Sequence, residues 1–322
     1  MKASVIIPAY NAERSIGACL ASLQEQSFKD FETIVVDDGS KDRTAEVVKS
    51  FKGVKLFVQA NTGPAAARNL GAEKSSGKII IFLDSDCVTT MDWLKEMLAP
   101  FAESEVAGVQ GRYKTEQNKI VARFVQLEIE ERYEKMARHK YIDFIGSYAA
   151  AYRKNVFDKM NGFDTSFPMA SGEDTDLSFR ISKAGYKMVF NQKAIVFHTH
   201  PESLAKYLKV KFFRALWRMK IYKKHKRKMI KDAYTSQTIK LQALLFYLIF
   251  GALLLVPFFS EALYYTGILF GLLVLTTLPF SLWALTKDFA VGLVSPVIIV
   301  LRTAMFGFGM MGSILNHLRR LI

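Results

Sequence analysis

Apolar, β-branched runs recur at short intervals from the start of the chain, and each is followed by a stretch whose apolar residues return every three or four positions. Residues 3–7, 31–36, 54–58 and 78–83 read as strands, with helices over 15–24, 44–51 and 65–74 between them. This alternation predicts a parallel α/β sheet, in which ligands bind beyond the carboxyl ends of the strands. Further on, the pattern predicts a charged helix over 117–138, a sheet segment near 147–152, a helix over 174–184, and a strand that ends at His198-Thr199-His200. No internal repeat or low-complexity tract interrupts the chain.

The pattern changes beyond residue 240. Residues 241–259 and 262–285 are two uncharged apolar stretches separated by Ser260-Glu261, each about as long as a bilayer crossing requires. A third apolar segment, 289–312, contains Pro296 and Arg302. An arginine at mid-bilayer costs at least about 2.5 kcal/mol, so this segment reads as a span or as a re-entrant or interfacial helix.

Composition adds bounds to this picture. Half of the 322 residues are apolar, enough for a substantial core and against disorder. Cys19 and Cys87 lie far apart without metal-ligand or CxxC spacing, which points to a reducing compartment rather than to a disulfide framework or a zinc site. The opening Met1-Lys2-Ala3-Ser4-Val5-Ile6-Ile7-Pro8 is too short for a signal-peptide core, so the first domain is expected to face the cytoplasm.

The formal charge of +14 is local: twelve lysines and arginines, with no acids, fall within 204–231, and without them the charge is about +2. In that stripe, Leu204, Leu208, Phe212, Ala215, Leu216 and Met219 recur at helical spacing between the cations. An amphipathic helix of this kind, just before two spans, suits an anionic membrane surface rather than nucleic acid, and it could also hold the diphosphate of a lipid-linked molecule. By the positive-inside rule its charge places the preceding domain in the cytoplasm and Ser260-Glu261 outside. Arg319-Arg320 also prefers the cytoplasm, which favours an incomplete third crossing. The expected division is a catalytic domain at 1–203, a basic interface segment at 204–237 and a membrane domain at 238–322.

The residues with chemistry end the predicted strands. Asp84-Ser85-Asp86 follows an apolar strand, where carboxylates at i and i+2 can reach a hard divalent cation whose shell phosphate oxygens complete; the same acids would also serve as a solvated loop or a helix cap. Asp37-Asp38-Gly39-Ser40 reads as a strand-to-helix turn, with Asp38 free to accept from a base N–H. Arg68 lies on the early turns of a helix after Asn61-Thr62-Gly63-Pro64, suited to a pyrophosphate or to a salt bridge. Gly172-Glu173-Asp174 opens a helix, where acids complement the helix dipole or, at Asp174, take a proton from a hydroxyl. His198 and His200 share a strand face, and either ring could ligate a metal.

In order and spacing, Pro8-Ala9-Tyr10-Asn11, Asp37-Asp38-Gly39-Ser40, residues 61–71, Asp84-Ser85-Asp86, Gly146-Ser147, Asn161-Gly162-Phe163-Asp164 and Gly172-Glu173-Asp174 resemble family 2 glycosyltransferases, over about residues 1–201. The resemblance implies the GT-A fold, a Rossmann-like mixed α/β sheet, here followed by membrane helices. It further implies a nucleotide-diphosphate sugar as donor, a UDP-sugar ahead of a GDP-sugar, with Mg2+ or Mn2+ as cofactor and inversion at the anomeric carbon. Pro8 and Tyr10 would flank the base, Asp38 would bond it, and Arg68 would lie near base or phosphates. Asp84 would face the ribose beside Ser85, Asp86 and His200 would hold the metal, Gly146, Ser147 and Glu173 would shape the sugar site, and Asp174 would be the general base.

Two departures narrow the expectation. The processive synthases of this family carry Gln-x-x-Arg-Trp, where this chain has only Arg214-Ala215-Leu216-Trp217-Arg218, so transfer of one sugar is expected. The polyprenyl-phosphate sugar synthases read Asp-Ala-Asp-Leu-Gln, where this chain has Asp84-Ser85-Asp86-Cys87-Val88. Their acceptor is already an anion, whereas Glu173-Asp174 tilts the expectation toward a hydroxyl acceptor on a lipid-linked or membrane-proximal glycan. A polyprenyl-phosphate acceptor and a catalytically silent membrane scaffold are the rival readings.

Overall fold

The computed structural model describes residues 2–167, 172–225 and 236–318. Residues 226–235 of the basic interface segment and Arg319-Arg320 lie outside the described residues. The chain divides into two compact units, Met1–Glu116 with Arg132–Thr199, and Gln117–Glu131 with His200–Ile322.

The first unit is built on an eight-stranded sheet of order β3-β2-β1-β4-β7-β6-β8-β5. Its strands are β1 (Ala3–Ala9), β2 (Phe31–Asp37), β3 (Val54–Val58), β4 (Ile79–Leu83), β5 (Cys87–Thr89), β6 (Val106–Lys114), β7 (Ala149–Arg153) and β8 (Lys187–His198). The expected parallel sheet is present in β3-β2-β1-β4, whose crossovers are α1 (Ile16–Gln24), α2 (Thr44–Lys49) and α3 (Pro64–Lys74). All five residues of β4, Ile-Ile-Ile-Phe-Leu, are buried, as a strand covered on both faces by helices must be. The far half of the sheet is mixed: β7 runs antiparallel to β4 and β6, while β6 and β8 are parallel. The short helices α4 (Trp93–Leu98) and α6 (Lys154–Lys159), together with α7 (Glu173–Lys183), complete this unit.

This mixed half directs the chain to the site. Because β7 is antiparallel to β4, Ala149 at its start pairs with Leu83 at the end of β4, so Gly146-Ser147-Tyr148 arrives where Asp84 begins. At the ends of β6 and β8, Tyr113 pairs with Val196, and His198 pairs with Cys87 just after the Asp84-Ser85-Asp86 turn. Four strand ends therefore converge on one edge.

Within the second unit, residues 120–131 of α5 (Ile120–Ala137) join α8 (Leu204–Lys224), α9 (Gln237–Leu255), α10 (Glu261–Leu275), α11 (Leu278–Lys287) and α12 (Phe289–Leu318). Three helical stretches, Gln237–Leu255, Glu261–Lys287 and Phe289–Ser313, are long and apolar enough to cross a membrane. Val121, Phe124, Tyr207, Val291, Ile298 and Ile299 form an apolar core there. Beside it, Glu128 accepts from Lys211 and Arg302 at 2.7 Å each, so the arginine inside the third apolar helix is neutralised by a carboxylate.

Candidate functional site

Three loops at the carboxyl edge of the sheet are fastened to one another by side chains. Asn11 donates from its backbone N–H to Ser40 Oγ (2.9 Å) and accepts from Lys41 N–H (2.8 Å), while Asp37 accepts from Ser40 N–H (2.9 Å). Gly39 adopts φ +74°, and a Cβ there would lie 3.0 Å from the Asn61 nitrogen, so the Asp38 loop is free to approach the 59–63 loop only because position 39 lacks a side chain.

Asp38 is buried and accepts from Thr62 N–H (2.9 Å), Gly63 N–H (2.8 Å) and Gln59 Nε2 (2.7 Å). Its carboxylate thus organises the loop ahead of α3, with lone-pair capacity remaining on Oδ2 for a ligand. Tyr10, 48% exposed, and the half-buried Pro8 stand at the end of β1 beside this loop.

Arg68, on the second turn of α3, is only 3% exposed. It donates to Asp84 Oδ1 at 2.8 Å and to Glu173 Oε1 at 3.0 Å, and these two carboxylates raise its pKa against the opposing effect of burial. One guanidinium therefore ties the first aspartate of the Asp84-Ser85-Asp86 turn to the first residue of α7. Asp174 follows Glu173, is half-buried, and adds its own field at Arg68. Its Oδ1 accepts from Thr175 N–H at 2.6 Å. Gly172 takes φ +122°, which turns the chain into α7 and sets Glu173 and Asp174 in its first turn.

An aromatic column braces the other side of Asp84. Tyr113 is stacked between Tyr148 (centroids 3.7 Å apart) and His198 (4.5 Å), and its hydroxyl is 3.4 Å from Asp84 Oδ2. Tyr133 shares a 2.7 Å hydroxyl contact with Tyr148 and accepts from Tyr113 N–H. Burial, with the nearby Cys87 and aspartate charges behind it, pushes the Tyr113 phenol far up, so it stays a neutral donor. The loop before Tyr148 is fixed in turn: Gly146 N–H donates to Gln110 on β6, and Ser147 is buried.

The column delivers His198 to the turn, with Nε2 3.3 Å from Asp86 Oδ2, and Asp86 is 43% exposed. Ser85, between the two aspartates, is half-buried. A carboxylate and an imidazole so placed fit a sparsely held Mg2+ or Mn2+ that completes its shell with phosphate oxygens and water. Among the described residues no group of three or more His, Cys, Asp or Glu surrounds one point. His200 is placed in the second unit, buried, with its ring 2.9 Å from Gln126 Oε1 and its backbone N–H donating to Gln117.

Pro8, Tyr10, Asp38, Arg68, Asp84, Ser85, Asp86, Gly146, Ser147, Glu173 and Asp174 all belong to the first unit, and bonded contacts join Arg68, Asp84 and Glu173. Tyr113, Tyr133 and Tyr148 carry no local signal in the sequence, because strand β6, helix α5 and the loop before β7 bring them together from distant parts of the chain. Cys19 and Cys87 are free and fully buried beneath the turn, and burial raises both thiols, so neither is a nucleophile.

The chain is similar to known proteins in sequence and in fold. The sequence model of glycosyl transferase family 2 matches residues 4–160. A Haloferax volcanii protein, glycosyltransferase AglE, is 30% identical over 207 residues, covering 61% of this chain and 66% of its own length. An Escherichia coli protein, the UDP-Glc:alpha-D-GlcNAc-diphosphoundecaprenol beta-1,3-glucosyltransferase WfgD, is 33% identical over 126 residues, 38% of this chain and 50% of its own. The chain thus spans about half to two thirds of the length of these relatives. Among solved structures, the mannosyltransferase PcManGT from Pyrobaculum calidifontis, in complex with GDP-Man and Mn2+, superposes with a TM-score of 0.62 over 98% of this chain and 87% of that one, at 20% identity.

Proposed function

We propose that this chain, whose residues 4–160 match the sequence model of glycosyl transferase family 2 and whose fold is GT-A, is an inverting transferase that moves one sugar from a nucleotide-diphosphate sugar to a hydroxyl of a lipid-linked or membrane-proximal glycan. The observation that carries this reading is the Arg68 bridge: it fixes Asp84, in the turn suited to a donor diphosphate, to the helix start that bears Asp174, suited to an acceptor hydroxyl. Inverting transfer by a single displacement needs one group to take the acceptor proton and others to stabilise the departing diphosphate.

Asp174 is the general base, and its carboxylate accepts the proton as the hydroxyl attacks the anomeric carbon. Asp86 and His198 would hold a divalent cation, which when bound supplies positive charge to the leaving diphosphate. Arg68 is a positioning residue in this account, since its two terminal nitrogens are engaged by Asp84 and Glu173. Pro8, Tyr10 and the remaining capacity of Asp38 Oδ2 receive the base, and Gly146-Ser147 and Glu173 shape the sugar pocket. A UDP-sugar stands ahead of a GDP-sugar as donor. The apolar helices hold the enzyme in the cell membrane as a multi-pass protein, with the catalytic unit facing the cytoplasm.

The acceptor assignment is supported by an acid at position 174, which a polyprenyl-phosphate anion would not need, and by the diphosphoundecaprenol-linked sugar in the name of the E. coli relative. The test is to incubate membranes containing the chain with a panel of labelled nucleotide sugars and to follow label into the lipid extract. One donor labelling a mild-acid-labile glycolipid supports the reading. Label in a lipid carrying only a monophosphate-linked sugar would replace it with the polyprenyl-phosphate reaction.

A further inference from the structure

Within the second unit one polar layer joins five helices. Glu128 of α5 accepts from Lys211 of α8 and Arg302 of α12, and Arg302 also donates to Gln242 of α9 at 2.7 Å. Gln242 Nε2 in turn is 3.1 Å from Thr276 Oγ1, at the end of α10. A layer holding two cations and a carboxylate belongs at the boundary of the hydrocarbon rather than at its centre. The chain leaves this layer along α9 and returns to it along α10, and Glu261, beside the turn between them, is the one charged residue on the way. Beyond Thr276-Thr277, Pro279 starts a separate helix, α11, so the 27-residue apolar stretch Glu261–Lys287 is broken at the level of the layer.

Arg302 lies near the middle of α12, and α12 is packed along α8 on both sides of it. Before Arg302, Ile298 and Ile299 share a core with Tyr207. Beyond it, Gly309 meets the Phe212 carbonyl, with room for no Cβ, and Gly312 faces Leu216. α8 also exposes Lys206, Lys209, Arg214, Lys223 and Lys224. A helix so charged cannot follow a spanning partner through a bilayer, and α12 cannot leave it. The outer face of α12 carries a stripe of exposed apolar residues, Phe289, Leu293, Val297, Leu301 and Phe308.

We propose that α11 and α12 lie in the plane of the membrane beside α8, with the apolar stripe of α12 seated at the boundary of headgroups and acyl chains, and that only the α9–α10 hairpin enters the hydrocarbon core. The occupant of the stripe is therefore lipid, and the cations of α8 meet the headgroup phosphates of the same leaflet. This inference does not depend on the transferase reading.

Spin-label depth measurements on the full chain in phosphatidylcholine–phosphatidylglycerol vesicles test it. Leu293→Cys, Val297→Cys, Leu301→Cys and Phe308→Cys each receive one nitroxide, and the fully buried Cys19 and Cys87 do not compete. All four labels are expected at one shallow depth, within about 10 Å of the headgroups. Depths that rise by about 1.5 Å per residue and carry position 308 past the bilayer midplane overturn the proposal. A topology reporter fused after Ile322 is expected on the same side of the membrane as residues 1–199, and its appearance on the opposite side overturns the proposal as well.

Discussion

Glu173 and Arg68 form an ion pair with 2% and 3% of their side chains exposed and 3.0 Å between nitrogen and oxygen, and the same guanidinium holds Asp84. The two carboxylates come from a strand end and a helix start that are about ninety positions apart in the sequence, and one buried cation fixes their separation. Removal of that cation takes one partner from the buried Glu173 and one from the part-exposed Asp84.

Arg68→Met is therefore expected to destabilise the chain by about 3 kcal/mol or more, the usual result of stranding a buried partner. Glu173→Gln, which keeps a hydrogen-bond acceptor for Arg68, is expected to lose less. Chemical denaturation followed by tryptophan fluorescence checks the order; equal stability of Arg68→Met and the parent chain would remove the bridge from the account.

The metal assignment is checked by electron paramagnetic resonance of Mn2+ in the presence of a nucleoside diphosphate. Asp86→Asn and His198→Ala are each expected to weaken binding at least tenfold, and excess chelator to abolish transfer. Unchanged Mn2+ binding by His198→Ala would remove that ring as a ligand, and His200→Ala tested in parallel decides between the two histidines.

In the second unit, Glu128→Gln leaves Lys211 and Arg302 side by side with their shared carboxylate gone. A loss of about 3 kcal/mol is expected, read as a lowered melting temperature in detergent. Replacing Glu128, Lys211 and Arg302 together by leucine removes the uncompensated charge and is expected to restore much of the loss. A triple variant no more stable than Glu128→Gln would contradict the role of the network.

Acid stability carries a signature of β2. Although burial opposes its ionisation, Glu32 is held down to a pKa of about 2, from an ordinary value of 4.5, by Lys55, Ser4 and Ser76. A carboxylate with a depressed folded pKa stabilises fully above about pH 4.5 and loses that contribution as pH falls toward 2. Glu32→Gln is expected to flatten the stability profile across this window and leave its slope near neutrality unchanged, as measured by denaturation midpoints against pH.

Much of this structure is legible in the sequence, and the part that is not has a physical cause. Strands β1 to β4 declare themselves because each is a short β-branched run and the helices α1 to α3 separate them. Strand β6, Val-Ala-Gly-Val-Gln-Gly-Arg-Tyr-Lys, does not: two glycines weaken its pattern, and its buried Gln110 looks polar until its role of holding Gly146 N–H is seen. The mixed half of the sheet depends on pairing between β7, β6 and β8, which no local period encodes. Charge pattern predicts α5 as one helix, yet its residues fall in different compact units, because Val121 and Phe124 join the apolar core of the second unit and Glu128 the ion pairs beside it, while Tyr133 joins the aromatic column. At the site, the acids and Arg68 stand out as residue types at strand ends, whereas Tyr113 and Tyr148 read as ordinary core aromatics.

The central claim is that Asp174 takes the acceptor proton at a site whose donor half is built separately around Asp84 and Asp86. Asp174→Asn keeps the size and the hydrogen-bonding oxygen of the side chain and removes its basicity. Nucleotide-sugar binding and transfer to the membrane acceptor, measured side by side on this variant, are expected to show donor affinity within about twofold of the parent and transfer reduced by about 100-fold or more. Transfer at the parental rate by Asp174→Asn would contradict the account.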